Sequence, residues 1–346
     1  MDKVIRIGID TSKSVFQLHG VNAGEQPVLR KKLRRKELAA FLGGLDPTAI
    51  GIEACGGSHY WARVLEELGH TVKLMAPQLV KPYVQRGKND AADAAALCEA
   101  MSRPGMRFVT AKSPEQQAGL MLIGVRERLV HNRTQLSNAI RGYAMEFGLI
   151  APKGLDKIEP LLARAQADET LPLLARTLFA AQGREYAGLQ GEIREIEARL
   201  MAWHRGNECS RRLAEVPSIG PIGGTLLAMK VPQAAAFQSG RHFAAWIGLT
   251  PRDHSTAGKQ RLGGITRAGD PALRSVLVVG AMAVVRQALR NPNRASPWLV
   301  DLLKRKPRKL AAVALANKTA RIAWKMMMTG ERYNPRRAAA LIATAA

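Results

Sequence analysis

VIRIGID, residues 4–10, alternates apolar and other side chains with a period of two and ends on the carboxylate of Asp10. This period is that of a half-buried β-strand. Residues 15–21 (VFQLHGV) repeat the alternation after a four-residue polar turn, which predicts a β-hairpin. The basic stretch at residues 30–35 fits a solvated third strand or its edge. The chain is therefore expected to begin with a sheet.

Helix and strand signals alternate in the segments that follow. They predict an amphipathic helix at 35–45, a short buried strand at 49–53, a helix at 59–68 that Gly69 ends, a strand at 71–75 and an alanine-rich helix at 89–101. The order β-β-β-α-β-α-β-α is that of an RNase H-like domain, a mixed sheet flanked by helices. We therefore predict an α/β fold for residues 1–110.

The middle of the chain, residues 111–205, predicts helices without strands. Ser113 as N-cap and Pro114 at the first helical position start a helix that is expected to end at Gly148. A second helical pattern covers residues 169–204. Two long helices with a break between them predict an antiparallel hairpin or coiled-coil arm that could dimerise, or else two ordinary core helices.

Residues 206–346 predict a compact all-α domain. The sequence VPSIGPIGGTLLA (216–228) lies between apolar helical segments and is similar to a helix-hairpin-helix element, in which backbone amides approach a phosphate. Asp270 and Pro271 predict the start of a helix, and a further helix is expected at 308–328.

Positive charge is concentrated in this last part. The 346 residues include 52 basic and 28 acidic side chains, a net charge of +24, and residues 206–346 carry 23 and 6, a net charge of +17. A polyanion such as nucleic acid is the expected partner, although ribosomal and membrane-surface proteins can be equally basic.

Cysteine usage and hydropathy indicate the compartment. Three cysteines, far apart and never as CxxC, exclude a disulfide scaffold and a cysteine zinc site. The start lacks the apolar core of a signal peptide, and the longest apolar run, residues 276–285, is short for a membrane span. We expect a soluble, cytoplasmic protein with no membrane partner.

Four carboxylates occupy positions where they could meet. Asp10 and Glu53 end predicted strands, and neighbouring strand ends converge at one edge of such a sheet. Asp90 and Asp93, three residues apart at a helix start, point from the same face. Such a set of oxygen ligands suits Mg²⁺ and phosphodiester cleavage. Singly, each also fits a structural role: an Asx turn, a helix cap, a first-turn charge or a solvated strand end.

A polar loop supplies the second candidate site. Residues 248–269 (GLTPRDHSTAGKQRLGGITRAG) are rich in glycine and cations and could wrap a phosphate. Ser255 follows Asp253 and His254 in this loop, and a serine hydroxyl beside positive charge can attack a phosphodiester. From composition and spacing alone, Ser255 is a solvent-exposed loop residue.

Five segments, in this order and spacing, carry a resemblance to a known family. They are IGIDTSK (7–13), IEACG (52–56), GKNDAADA (87–94), VPSIGPIGGTLLA (216–228) and FAAWIGLTPRDHSTAGKQRLGGITRAGDPALR (243–274). Over nearly its full length the chain resembles the DEDD transposases, or recombinases, of bacterial insertion sequences that use a non-coding bridge (seeker) RNA.

The resemblance implies both an architecture and a chemistry. Residues 1–110 would form a RuvC-like domain whose Asp10, Glu53, Asp90 and Asp93 hold Mg²⁺. Residues 111–205 would form the coiled-coil arm, and residues 206–346 a transposase domain. In that domain the covalent nucleophile would be Ser255, with Thr256 as the alternative. In this family the metal site and the serine meet from different subunits, which implies a homodimer or homotetramer.

The same resemblance implies the reaction and its partners. Strand cleavage would form a 5′-phosphoserine link, and strands would be exchanged through a Holliday-junction-like intermediate. The partners would be double-stranded DNA, at the element ends and the target, and a guide RNA. The expected nucleic-acid-binding residues are Lys13, Lys88, Arg252, Lys259, Arg261, Arg267 and Arg274.

Two functions of other classes fit the same residues. One is a metal-dependent junction-resolving nuclease in which Ser255 is idle. The other is a non-catalytic nucleic-acid-binding protein with structural carboxylates. Mutating Ser255 tests the first alternative, and Mg²⁺ dependence of strand cleavage tests the second.

Overall fold

The computed structural model describes residues 3–84, 89–231, 233–256 and 258–335. The chain divides into two compact units, Met1–Gln117 and Ala118–Ala346. The first unit contains a mixed sheet with helices, and the second is mainly helical. A mixed α/β N-terminal part and a helical C-terminal part are therefore as predicted.

One sheet organises the first unit. Within its described residues the strands are β1 (Arg6–Thr11), β2 (Val15–Val21), β3 (Pro27–Arg34), β4 (Ala49–Glu53), β5 (Thr71–Met75) and β6 (Phe108–Val109). They lie in the order β3-β2-β1-β4-β5-β6. The β1-β2-β3 pairs are antiparallel, β1-β4-β5 are parallel, and β6 is antiparallel to β5. The predicted element order is confirmed, with β6 as an additional strand.

Helices cover both faces of this sheet. The helices are α1 (Leu38–Gly43), α2 (Ser58–Glu67), α3 (Pro77–Val80) and α4 (Asp90–Ala100). Ile7 and Ile9 of β1 are fully buried in one core with Leu65 of α2. Residues of β1 between these isoleucines point to the opposite face, because side chains alternate along a strand. That opposite face receives α4.

The packing of α4 depends on two glycines. Gly8 of β1 and Gly51 of β4 are register partners in the parallel pair. A Cβ at Gly8 would overlap the backbone of Ala94 and Cys98 in α4. A Cβ at Gly51 would lie 3.2 Å from the carbonyl oxygen of Leu97. The absence of side chains at both positions therefore lets α4 lie directly on the two strands.

The second unit begins with a helical hairpin. Helices α5 (Pro114–Glu146) and α7 (Leu173–Gly206) are joined through α6 (Ile158–Ala167). Arg126 Nε donates to Glu197 Oε1 at 2.9 Å, and Arg133 Nη1 donates to Gln190 Oε1 at 3.5 Å. Partner numbers fall as α5 advances, so α5 and α7 run antiparallel, as predicted. The segment between them, for which the sequence predicts only a break, contains α6, whose Leu161 and Ala165 are buried in the local core.

The remaining described helices pack around one larger core. They are α8 (Glu208–Leu213), α9 (Pro221–Lys230), α10 (Gly240–Ile247), α11 (Pro271–Arg290), α12 (Pro297–Arg305) and α13 (Arg308–Thr329). The side chain of Asp270 caps α11 by accepting from Ala272 N and Leu273 N, each at 2.9 Å. This cap confirms the predicted helix start at Asp270 and Pro271.

Helix α11 is long and apolar enough to cross a membrane, with a mean hydropathy of 1.5, and no other helix among the described residues meets both criteria. Its length exceeds the ten-residue apolar run seen in the sequence. Leu273, Leu277, Ala281 and Val285 recur every four residues along one face and are buried in the core of the second unit. One face of the helix therefore packs into the core of this unit.

The prediction of an all-α C-terminal part is wrong at one segment. Strands β7 (Pro251–Asp253) and β8 (Leu262–Ile265) form an antiparallel two-stranded sheet. Gly248 (φ +80°) and Gly269 (φ +74°) flank it in the left-handed region, which glycine adopts without strain. Thr266 N donates to Thr250 O at 2.8 Å near its base. Short strands rich in glycine lack the alternation by which a strand is predicted.

The α4 packing yields a first prediction. Gly8→Ala should destabilise the protein by about 1–3 kcal/mol, since overpacking forces the helix away from the strand. Gly43→Ala is the matched control, because a Cβ at Gly43 has its nearest neighbour 3.5 Å away, in ordinary contact. Thermal unfolding followed by circular dichroism measures both. A Gly8→Ala protein as stable as the Gly43→Ala protein would contradict the packing argument.

Candidate active site

Three predicted carboxylates meet at one end of the sheet. Asp10 lies near the end of β1, and Asp90 and Asp93 occupy the first turn of α4. One carboxylate oxygen from each residue lies within 4.8 Å of those of the other two. Asn89 begins the helix, with its side chain accepting from Ala91 N at 3.0 Å. The cap sets where α4 starts, and the packing on Gly8 sets how close its first turn comes to Asp10.

Glu53 lies beside this group without joining it. Ile9 pairs with Ile52 in the β1-β4 register, so the next residues, Asp10 and Glu53, stand side by side on parallel strands. Burial and the charge of Asp93 raise the pKa of Glu53. The charge of Asp93 therefore acts on Glu53, although the carboxylate of Glu53 is outside the group whose oxygens lie within 4.8 Å of one another. The sequence prediction placed all four carboxylates together, whereas the structure brings oxygens of three of them within 4.8 Å of one another.

The cluster is electrostatically costly in the absence of a cation. Burial and the charges of Asp93, Asp90 and Glu53, in that order, raise the pKa of Asp10 to about 6. Like charges disfavour ionisation of a neighbour, and half-burial adds a desolvation penalty. A group of carboxylates held at this cost is typical of a functional site.

The donor set fits a divalent metal ion. Carboxylate oxygens are the ligands that hard cations such as Mg²⁺ prefer, and positive charge would relieve the repulsion at Asp10. Asp10, Asp90 and Asp93 could bind the ion directly, with Glu53 adjacent. At the ends of β1 and β4, which carry Asp10 and Glu53, Thr11 Oγ1 and Cys55 Sγ lie 3.5 Å apart.

The second candidate site is the loop between β7 and β8. Ser255 Oγ donates to Asp253 Oδ1, and Ser255 N donates to the same oxygen at 2.9 Å. Arg261 N in turn donates to Ser255 Oγ at 3.0 Å. The hydroxyl of Ser255 is therefore held by a donor and an acceptor, while the residue remains exposed. These bonds lower the pKa of Asp253, with the Ser255 hydroxyl as the largest cause.

Sequence reasoning did not identify Asp253 as the hydrogen-bond partner of Ser255. An Asp two residues before a serine forms an Asx turn, in which the carboxylate accepts from the second backbone amide. The D-x-S spacing in residues 253–255 is the signal that could have identified it. His254 is exposed, and its ring lies beside Gly263 of β8, since a Cβ at Gly263 would be 3.3 Å from it.

The predicted cationic residues of the loop have different environments. Arg252, Lys259 and Arg261 are exposed on the hairpin. Arg267 is also exposed and has a left-handed backbone (φ +55°). Arg274 Nη1 donates to Ile247 O at 2.9 Å and to Ala268 O at 3.1 Å. Arg274 thus ties the hairpin base to α11, a structural contact that the sequence did not indicate.

Two more predicted contacts belong to the first unit. Lys13 is exposed in the turn between β1 and β2. Lys88 lies outside the described residues.

In the second unit, the segment proposed as a helix-hairpin-helix places a turn between α8 and α9, and Ser218 in that turn has a left-handed backbone (φ +89°).

Comparisons with known proteins identify the family of the chain. Residues 7–147 match the DEDD transposase family of IS110, and residues 210–295 match the transposase IS116/IS110/IS902 family. The chain is 64% identical to a putative transposase of Sinorhizobium fredii, covering 96% of this chain and 86% of that protein. It is 39% identical to the transposase for insertion sequence element IS1328 of Yersinia enterocolitica, covering 96% and 100%. It is 35% identical to the transposase for insertion sequence element IS1111A of Coxiella burnetii, covering 94% and 90%.

Clustered carboxylates at the end of a mixed sheet, together with these matches, define a DNA transposase of the DEDD class. The chain belongs to the IS110/IS116 family of insertion-sequence transposases. It is therefore an enzyme that acts on DNA, and its DEDD domain implies a divalent metal ion.

The raised pKa of Asp10 yields a second prediction. In the metal-free protein, ionised Asp10 costs stability above about pH 6, and this cost vanishes as the pH falls towards 4 and the group protonates. Asp10→Asn should therefore stabilise the metal-free protein at pH 7.5 by on the order of 1 kcal/mol, because a half-exposed carboxylate is screened. Unfolding midpoints with EDTA at the two pH values measure this.

Added Mg²⁺ should reverse the order of stability of the wild-type protein and Asp10→Asn. It should stabilise the wild-type protein by mass action and leave Asp10→Asn nearly unchanged. Glu67→Gln removes an exposed carboxylate of α2 and serves as the control. Equal stabilisation of Asp10→Asn and wild type by Mg²⁺ would contradict a metal site at Asp10.

Proposed function

We propose that this transposase excises and inserts its element by RNA-guided strand cleavage and exchange through a 5′-phosphoserine intermediate at Ser255. The observation that carries the proposal is the cluster of Asp10, Asp90 and Asp93, with oxygens within 4.8 Å, in a member of a transposase family. In this proposal residues 1–110 are a RuvC-like domain, 111–205 a coiled-coil arm and 206–346 the transposase domain with a helix-hairpin-helix element.

The carboxylates would hold Mg²⁺ near the scissile phosphate. Asp10, Asp90 and Asp93 would hold the ion, with Glu53 beside them on the neighbouring strand. When bound, Mg²⁺ supplies positive charge that stabilises the charge developing on the phosphate oxygens. The carboxylates themselves position the ion and are oriented by the β1 and β4 ends and by the first turn of α4.

Ser255 would act as the nucleophile. Its Oγ forms a bond to phosphorus while the bond from phosphorus to the 3′ oxygen breaks, leaving a serine 5′-phosphodiester and a free 3′ hydroxyl. As this bond forms the Ser255 hydroxyl loses its proton and the leaving 3′ oxygen takes one up, while Asp253, which accepts the hydrogen bond of the hydroxyl, orients Oγ. Arg252, Lys259 and Arg261 surround the loop with positive charge that favours the transition state.

The two candidate sites lie in different units of the chain. We propose that the carboxylates of one subunit act together with Ser255 of another, so that the active form is a homodimer or homotetramer. The guide RNA would choose the DNA sites by base pairing, and the protein would supply the chemistry.

The serine chemistry yields a third prediction. A 5′-phosphoserine link should appear as labelled DNA attached to the protein on a denaturing gel. Ser255→Ala removes one oxygen from an exposed position, so folding and DNA binding should persist while the linked label disappears. Thr256→Ala is the matched control and should retain the label. A label lost in Thr256→Ala and kept in Ser255→Ala would place the nucleophile at Thr256.

A fourth prediction concerns the guide. Incubation with the element's junction DNA and its flanking non-coding RNA should give recombinant product, and omission of the RNA should abolish it. Mg²⁺-dependent cleavage without any protein-linked DNA would favour the junction-resolving nuclease instead. Recombination that is independent of RNA would refute the guidance.

A further inference from the structure

The edge strand of the sheet is strongly basic. Residues 30–36, RKKLRRK, place six cations in seven positions in β3 and the turn that follows. Successive side chains of a strand point to opposite faces, so the four cations within β3, Arg30, Lys31, Lys32 and Arg34, divide between the two faces. The pairing of β3 with β2, and of β2 with β1, shows on which face of the sheet each side chain lies.

One group lies on the face that carries the active-site carboxylates. Asp10 pairs with Gln17 of β2, and Gln17 pairs with Lys32 of β3. The same register aligns Gly8, His19 and Arg30. Paired residues of neighbouring strands point to the same side, so Arg30 and Lys32 share the face of Asp10. Two strand spacings separate Lys32 from Asp10, a distance of about 10 Å.

The residue opposite Val15 in this register is Arg34, which adds a third cation to the same face. Burial, followed by the charge of Arg30, lowers the pKa of His19, which agrees with Arg30 lying beside His19. We call Arg30, Lys32 and Arg34 the cationic ladder.

Lys31 lies on the opposite face of β3, Arg35 follows in the helical turn after the strand, and both contact aromatic rings. Lys31 Nζ lies 4.2 Å from the centre of the Phe41 ring, and Arg35 Cζ lies 5.2 Å from that of Trp61. Among the residues that the structure describes, no ion pair or ring contact is found for the side chains of the three ladder residues, although Arg34 N donates to the carboxylate of Glu37 at 2.8 Å. All three are exposed.

Protection of the sheet edge explains only part of this pattern. Lysines on edge strands prevent pairing with another chain, and a charge on either face serves that purpose. A ladder of three cations on the carboxylate face is more than edge protection needs. Alternate residues of a strand are about 6.8 Å apart, a spacing that lets consecutive cations face consecutive phosphates of one strand.

We propose that the cationic ladder Arg30, Lys32 and Arg34 binds the backbone of the DNA strand whose phosphate lies at the carboxylate site. The inference rests on the proposed DNA cleavage and extends the substrate contact from Asp10 to the sheet edge. DNA is favoured over RNA because the ladder continues the face of the cleavage site within about 10 Å of Asp10. The ladder positions the strand and makes no base-specific contact.

Lys31 and Lys32 provide an internal test, because they are adjacent in sequence and lie on opposite faces. The full chain is acylated with an amine-reactive ester in EDTA, alone and with saturating four-way junction DNA, and the two lysines are compared by mass spectrometry. Bound DNA should slow acylation of Lys32 several-fold and leave that of Lys31 nearly unchanged. Equal rates with and without DNA at Lys32, or equal protection of both lysines, would overturn the proposal.

Competition identifies the ligand. A duplex RNA that protects Lys32 more strongly than the junction DNA does would overturn the assignment to DNA. Because EDTA removes the metal and no cleavage is scored, this result does not depend on whether Ser255 forms a covalent link.

A charge-matched pair of variants gives an independent measurement. Arg30→Gln with Lys32→Gln removes two ladder cations, whereas Lys3→Gln with Lys31→Gln removes two exposed cations outside the ladder. The ladder variant should reduce the slope of log affinity against log salt by roughly 2 for junction DNA. The control variant should leave the slope unchanged. Equal slopes for the two variants would show that only net charge matters and would contradict the ladder.

Discussion

The close approach of α4 to β1 and β4 is the contact on which the site depends. Gly8 and Gly51 face this helix from neighbouring strands, and a side chain at either would press against its backbone. The helix can therefore lie on the sheet with its first turn at the strand ends. Asp90 and Asp93 in that turn come within 4.8 Å of Asp10. The carboxylate cluster therefore depends on the backbone packing of α4 on β1 and β4.

This packing also explains the electrostatic character of the site. Asp10 is half-buried beside three other carboxylates, and its pKa is raised to about 6. In the metal-free protein this arrangement lowers the free energy of unfolding, and burial of the core residues of β1 and α2 must offset that loss. Such a trade of stability for function is common at catalytic sites. The second unit shows the contrasting case, in which Ser255 sits in an exposed loop and is oriented by hydrogen bonds alone.

Local sequence patterns predict the elements better than their contacts. Alternation predicts β1 and β2, and the pairs Ser113–Pro114 and Asp270–Pro271 predict two helix starts, because each signal lies within a few residues. The position of Glu53 just outside the carboxylate group depends on side-chain placement between strands, which no local pattern contains.

The missed features have the same origin. The β7–β8 hairpin is held by backbone bonds between distant residues, such as Thr266 N to Thr250 O. The role of Arg274 at the hairpin base depends on carbonyls of Ile247 and Ala268 that only the fold brings near. Helix α6 gains its burial from α5 and α7 and not from a distinctive sequence of its own.

The central claim is that backbone packing at Gly8 assembles the metal site. It is tested most directly by Mn²⁺ binding to Gly8→Ala, measured by electron paramagnetic resonance at a temperature where circular dichroism shows the variant folded. All four carboxylates remain in this variant, yet its affinity should fall at least about tenfold, as when the support of a metal ligand is lost. Gly43→Ala should bind like the wild type. Wild-type Mn²⁺ affinity in folded Gly8→Ala would contradict the account.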